Sequence, residues 1–136
     1  MRLRQIIDRI TDQCPGFAQV GHALTSRADL DYPAALVTPV SVLATPSQML
    51  GVHSQMLVKR YGVFVMMTRV QDGDTDFGTA DLFDDLCAEL RAALTKWTPD
   101  SGLFKPMDFV GGQLAQYAPG IACWREDYAT TFELRI

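Results

Sequence analysis

The sequence predicts a two-layer α+β sandwich, a mostly antiparallel sheet covered by two main helices. Three observations carry that prediction. Ile121 to Ile136 places Ala122, Trp124, Tyr128, Thr130, Phe132, Leu134 and Ile136 on one face of a period-two pattern, with Arg125, Asp127, Thr131, Glu133 and Arg135 on the other. Side chains alternate along a strand, so this segment reads as one long strand with a buried face and a wet one. Gln55 to Arg69 is apolar on both faces, with Tyr61, Val63, Val65 and Met67 on one side and Met56, Val58, Phe64 and Met66 on the other. Such a strand is central, covered on each face by helices or by a neighbouring subunit. Two further stretches repeat their apolar residues every three and four positions, as amphipathic helices do. The order helix, strands, helix, hairpin lets both helices cover one face of the sheet, and the other face is then polar or meets a partner.

The elements follow in chain order. Leu3, Ile6, Ile7 and Ile10 mark a helix over about Leu3 to Gln13, stopped by Cys14-Pro15-Gly16. Arg2 and Arg4 sit at its positive end, where cations are mildly unfavourable, which makes them candidate contacts for an acidic partner as well as ordinary solvated residues. Phe17 to His22 is a short strand, and Ala34 to Val42 a second one interrupted by Pro39. Proline cannot donate to a ladder, so Pro39 implies an edge or a bulge. Leu43 to Ser54 reads as a protruding loop or arm at 43–54, with Met49 and Leu50 at an apolar tip that can dock a partner or fold back onto the core.

The second helix spans about Thr79 to Trp97, with Leu82, Phe83, Leu86, Leu90, Ala93, Leu94 and Trp97 in its stripe and Cys87 at the border. Asp76 or Thr79 serves as its N-cap, and Asp81, Asp84 and Asp85 crowd the positive end of its dipole. Pro106 to Tyr117 and Ile121 to Ile136 then form a hairpin turning at Ala118-Pro119-Gly120, with Gly111-Gly112 marking a bulge. The last strand runs to the final residue of the sequence, which fits a compact building block without appendages.

The 136 residues fit one domain over 1–136, enough chain to bury roughly two-thirds of its unfolded surface. A net charge of -4 and a pI near 5.0 argue against a protein that grips DNA phosphates. Basic residues are scattered apart from Lys59-Arg60, and no apolar run is long enough for a membrane span or a signal peptide. A cytoplasmic site of synthesis and folding is expected.

A search for chemistry finds little. Asp72, Asp74 and Asp76 occupy the first, third and fifth positions of an EF-hand loop, but the required glycine is replaced by Phe77 and the bidentate glutamate by Phe83. His22 and His53 lack ligand or triad partners at diagnostic spacing. Glu126 and Asp127 point to opposite faces of a strand and cannot form one acid-base dyad. Cys14, Cys87 and Cys123 are widely spaced and read as reduced thiols. No catalytic residue, cofactor or metal is expected.

Three stretches point elsewhere. D-Y-P-A-A-L-V-T-P-V-S from Asp31, A-D-L-F-D-D-L-C-A-E-L-R-A-A-L-T-K-W-T-P-D from Ala80 and Y-A-P-G-I-A-C-W-R-E-D-Y-A-T-T-F-E-L-R-I from Tyr117 resemble tail terminator proteins of long-tailed, non-contractile double-stranded DNA bacteriophages. The resemblance covers essentially the full length. It implies a structural virion protein, not an enzyme, located at the head-tail junction after assembly in the host cytoplasm. Its copies form a homo-hexameric ring that caps the tail tube, ends tube polymerisation and offers a surface to the head-neck connector or head completion protein. DNA passes through the channel without specific binding, and no membrane is involved. On this reading Met49, Leu50, Arg2 and Arg4 are candidate subunit or partner contacts. Asp72, Asp74 and Asp76 are candidate channel-lining residues, since an acidic lumen repels DNA. The competing readings are another neck or tube protein of the virion, and a small metal-dependent or hydrolytic enzyme using His22 or His53 with the 72–76 loop.

Overall fold

A computed structural model describes residues 3–24, 30–45, 54–68, 77–98, 105–115 and 120–135. The elements are α1 (Leu3–Gln13), β1 (Gln19–His22), β2 (Ala34–Ala44), β3 (Ser54–Thr68), α2 (Phe77–Leu94), β4 (Asp108–Leu114) and β5 (Ile121–Arg135). The strands make one sheet in the order β1-β2-β3-β5-β4. Short β1 runs parallel to β2, and every other neighbouring pair is antiparallel. The fold is α+β, as the sequence predicts, with β3 at the centre.

Both helices lie on one face. Ile6 and Ile10 of α1 and Leu86, Leu90 and Leu94 of α2 share a single core with Ala35, Val37, Val63, Val65, Met67 and Tyr128 of the sheet. The three-and-four spacing of the helices and the period-two spacing of the strands meet there, and burial of these apolar side chains is the main favourable term. Polar contacts fix how α1 lies on α2. Arg9 Nε donates to the Ala93 carbonyl at 2.9 Å, placing a cation on the negative end of α2, and its guanidinium stands 5.6 Å from the Trp97 ring centroid. Gly16 N–H donates to Glu89 Oε1 at 3.2 Å. A Cβ at Gly16 would meet Leu86 Cδ2 at 2.9 Å, so glycine there permits the close approach.

Among the described residues, the helix-free face is covered at one end. Leu30, Leu36, Met66 and Cys123 form a small second core, with Ala23, Tyr32, Phe64 and Ile121 packed against it. The chain thus covers Phe64 and Met66 with its own β1–β2 connection rather than leaving them to a partner. Towards the other end β3 changes character. Every residue from Tyr61 to Met67 except Phe64 is buried, whereas none from Gln55 to Arg60 is.

Several boundaries differ from the sequence expectation. The β2–β3 ladder continues through Val42↔Lys59, Leu43↔Val58 and Ala44↔Leu57, and Thr45 N–H still donates to the Met56 carbonyl at 3.0 Å. Leu43, Ala44 and Ser54 therefore belong to strands, and the rest of the arm expected at 43–54, residues 46–53, lies outside the described residues. Helix α2 begins at Phe77 and ends at Leu94. Thr79 is inside it and so is not the N-cap, Asp76 lies outside the described residues, and Asp81, Asp84 and Asp85 fall beyond its first turn, so the dipole argument for them fails. The helix closes through Lys96 in the left-handed region at φ 66, whose N–H donates to the Met107 carbonyl at 2.7 Å. Trp97 therefore lies after the helix, though still packed on the core. Strand β4 is shorter than Pro106 to Tyr117, because Met107 is held by Lys96 and Trp97 instead of by β5. Bulges occur where expected, between Pro39 and Ser41 and between Phe109 and Gly111. On β5 the face expected to pack under the helices does so as far as Tyr128, while Phe132 and Leu134 are half-buried beyond that core.

All three cysteines are free and buried. Burial pushes the Cys14 thiol up from 9.0 to about 11, with Glu89 adding to the effect and Arg9 opposing it. Cys87 rises from 9.0 to about 12 for the same reason, with Glu126 adding and Arg91 opposing. Neither is a nucleophile near neutrality. The folded state holds these protons more tightly than the unfolded chain, so their contribution is complete below pH 9 and is lost as pH rises towards 11 and 12. Urea midpoints measured upward from about pH 8 are expected to fall above about pH 9. Cys87→Ala should make that decline shallower.

Candidate assembly surfaces

The sheet and α2 are joined by a buried charge. Glu126 points to the helix side of β5 and is fully buried. Arg91 of α2 reaches it with Nε donating to Oε1 at 2.6 Å and Nη2 to Oε2 at 3.2 Å. Trp124 Nε1 donates to Oε2 at 3.0 Å. This forked, charge-assisted geometry satisfies the carboxylate where water cannot, and it holds the Arg91 proton above its usual range. The same guanidinium lies 4.6 Å from the centroid of the Phe109 ring, and Phe109 packs on Tyr128 at 5.6 Å. Arg91 thus seats edge strand β4 as well. Gly112 of β4 leaves room for the network, since a Cβ there would collide with Glu126 Oε2 and lie 2.8 Å from Trp124 Nε1. Sequence reading missed this arrangement, although a single carboxylate within the apolar register of β5 was its visible signal.

Two apolar surfaces remain uncovered among the described residues. Seven large hydrophobic side chains are exposed there, and six lie on two strand edges: Val40, Val42 and Leu43 on β2, and Phe109, Val110 and Leu114 on β4. Strand β1 pairs with β2 only as far as Val37, so Thr38 to Ala44 form a free edge. Strand β4 is the outer strand on the other side. Beside it a cleft of about 240 Å³ opens between α2 and the sheet, lined by Phe83, Asp84, Cys87, Arg91, Leu114 and Trp124.

The structure does not gather the residues singled out from sequence into one site. Arg4 is exposed on α1. Met49, Leu50, Arg2, Asp72, Asp74, Asp76 and His53 lie outside the described residues. His22 Nδ1 accepts from Leu24 N–H at 2.9 Å, a local turn contact. Among the described residues, no group of three or more His, Cys, Asp or Glu is placed to hold a metal ion, and no helix is long and apolar enough to cross a membrane.

A family profile described as phage tail terminator protein matches residues 1–136. The chain belongs to that family. No curated protein matches the sequence. A tail terminator is a structural component of the phage tail and not a member of an enzyme family, so surfaces rather than a reactive centre carry its role. The two uncovered strand edges are therefore the functional candidates of this terminator, and the Arg91–Glu126 clamp holds one of them in place.

That clamp gives a direct test. Gly112→Ala forces Glu126 or Trp124 to move, and overpacking of this kind costs about 1–3 kcal/mol. Chemical denaturation should show that loss, while Gly111→Ala, where a Cβ meets nothing within 4 Å, should stay close to the parent protein.

Proposed function

We propose that this protein caps the growing tail tube as a homo-hexameric ring, stops the addition of tube subunits and presents the surface to which the head-neck connector or head completion protein binds. The full-length family match carries the proposal, and the two uncovered apolar edges support it. A closed ring needs two different patches on each subunit, because each copy meets one neighbour with one side and the next with the other. Two separated edges on one sheet supply that requirement. The protein then sits at the head-tail junction after assembly in the host cytoplasm, DNA passes through without specific contacts, and no catalysis takes part. Met49, Leu50, Arg2 and Arg4 remain proposed contacts to neighbours or tube, and Asp72, Asp74 and Asp76 a proposed acidic lining that repels DNA.

The deciding experiment is assembly of tails without this protein, viewed by electron microscopy. Overlong tubes that fail to join heads are expected, and tubes of normal length with heads attached would refute the proposal. Supplying Met49→Asp with Leu50→Asp should leave the subunit folded but restore length control poorly. An unfolded product would place those two residues in the core instead.

A further inference from the structure

The proposed ring leaves open which end of each subunit meets the tube. We infer that the end of the sheet at Ala44 and Leu57 faces the tube and docks on an acidic protein surface there. The inference rests on the ring reading and adds the tube-facing end and the chemistry of its partner.

Basic residues without a carboxylate partner gather at that end. Arg91 and Arg125 are neutralised in forked pairs with Glu126 and Asp127, and Arg9 is held by the Ala93 carbonyl and the Trp97 ring. The other described bases are Arg4, Lys59, Arg60, Lys96 and Lys105. Lys59 and Arg60 stand on β3 opposite Val42 and Ser41. The Phe132 ring 5.2 Å from Lys59 Nζ holds that cation in place without neutralising it. Lys105 N–H donates to the Thr131 carbonyl, and Lys96 closes α2 against Met107. Helix α1 runs antiparallel to α2, since Cys14 lies beside Glu89 and Arg9 beside Ala93. Arg4 is therefore carried more than a turn beyond Arg9 towards the same end. Asp108 and Glu133 are the exposed acids there among the described residues.

The opposite end is acidic. Asp31 lies just before β2, and Asp81, Asp84 and Asp85 are exposed near the start of α2, whose Asp84 stands beside Leu114 and Trp124 in the cleft. Arg91 shares that cleft, but its charge is taken up by Glu126. The sign of the surface thus reverses along the strands of the sheet. The separation far exceeds the screening length of about 10 Å at 0.1 M salt, so a subunit cannot satisfy its basic end with its own acidic one. An acidic partner can, and complementary charge of this kind sets orientation.

Apolar side chains decide between a protein partner and DNA. Val42 and Leu43 are 58 % and 64 % exposed at the basic end, and Phe132 and Leu134 are half-buried beside them. Apolar residues with a charged rim are the composition of a protein contact, whereas DNA phosphates would bury the cations and leave the apolar groups wet. In this arrangement the strands run roughly along the tail axis. Sheet edges then serve neighbours in the ring, and the basic end of every copy points to the tube.

The test reverses one end at a time. Arg4→Glu, Arg60→Glu and Lys105→Glu are combined in one protein, and Asp81→Lys with Asp85→Lys in another, with circular dichroism to check folding. Co-sedimentation with tail tubes assembled without this protein reads binding. The basic-end variant is expected to bind tubes at least about tenfold more weakly than the parent protein, and the acidic-end variant to bind them as the parent does. Parent binding should weaken from about 0.1 M to about 1 M salt, as screening shortens to about 3 Å. If the triple variant is unfolded, Arg60→Glu and Lys105→Glu are measured singly against the same expectation of weaker binding. A folded basic-end variant that binds tubes like the parent would overturn the inference, as would loss of tube binding in the acidic-end variant. Parent binding to duplex DNA that the basic-end variant loses would assign this end to DNA instead. Salt-sensitive stacking of parent rings without tubes would assign it to a second copy. A parent protein that never sediments with tubes would remove the capping reading itself.

Discussion

The central strand is longer than the helices that cover it. At about 3.3 Å per residue, the fifteen residues of β3 span roughly 50 Å, whereas the eighteen residues of α2 rise only about 27 Å. Two helices on one face therefore cover part of the sheet, and the remainder of β3 is only half-buried. The transition comes at Tyr61, with buried positions on one side and half-buried ones on the other. Met56, Leu57, Val58, Phe132 and Leu134 place apolar side chains in that half-buried part, on both faces. A freestanding domain would place polar residues there. Apolar character beyond the reach of the helices is what a subunit needs when part of its core comes from a neighbour.

The Arg91–Glu126 pair is better understood as a device of position than of stability. Replacing a buried pair with well-packed apolar residues is often neutral, while removing one partner costs about 3–5 kcal/mol. Arg91 keeps 43 % of its side chain exposed, so solvent offsets part of that cost. The pair specifies geometry instead. Glu126 has one forked donor within reach, Arg91 is held against the Phe109 ring, and Gly112 is the β4 residue over the carboxylate. These contacts set α2, β5 and β4 in one relation. The cleft beside β4 takes its shape from that relation, since Arg91 and Trp124 are both in its wall. Tyr128 packs beside this network at some cost, because its hydroxyl is buried without a hydrogen-bond partner among the described residues.

Periodicity made most of the fold legible. α1 has the bounds that the spacing of Leu3, Ile6, Ile7 and Ile10 and the Pro15-Gly16 stop imply, and both bulges follow from residue chemistry at Pro39 and at Gly111-Gly112. Local signals failed where a distant residue decides the outcome. Glu126 belongs to the helix-facing register of β5, yet its partner Arg91 is 35 positions away in sequence. A carboxylate in an apolar stripe carries no local mark of that partner. Thr79 was one of two candidate caps, but the helix begins two residues earlier, at Phe77. Leu43 and Ala44 resembled the start of an arm because their polar neighbours broke the alternation, while pairing with β3 keeps them in register. Pro39 marked the Ala34 to Val42 strand as an edge or a bulge, but the exposure of Val42 or Leu114 was not legible, since it is a property of strand order.

Free edges invite uncontrolled pairing, and this sheet limits them. Pro39 removes a donor, the bulge beside it bends the β2 edge, and the bulge at Phe109–Gly111 interrupts β4. The free β2 stretch from Thr38 to Ala44 and the seven residues of β4 each offer only about 20 Å of strand. A long cross-β ladder cannot grow from such edges, so a contact between copies relies on side chains and charge. In the proposed ring each contact is small, and six of them hold only when all close together. Copies that meet singly in solution would separate again, whereas copies gathered on the end of a tube would meet at high effective concentration. A subunit with short edges therefore suits the proposed assembly where a tube ends, and the same limits that protect it from aggregation would make such a ring depend on the tube beneath it.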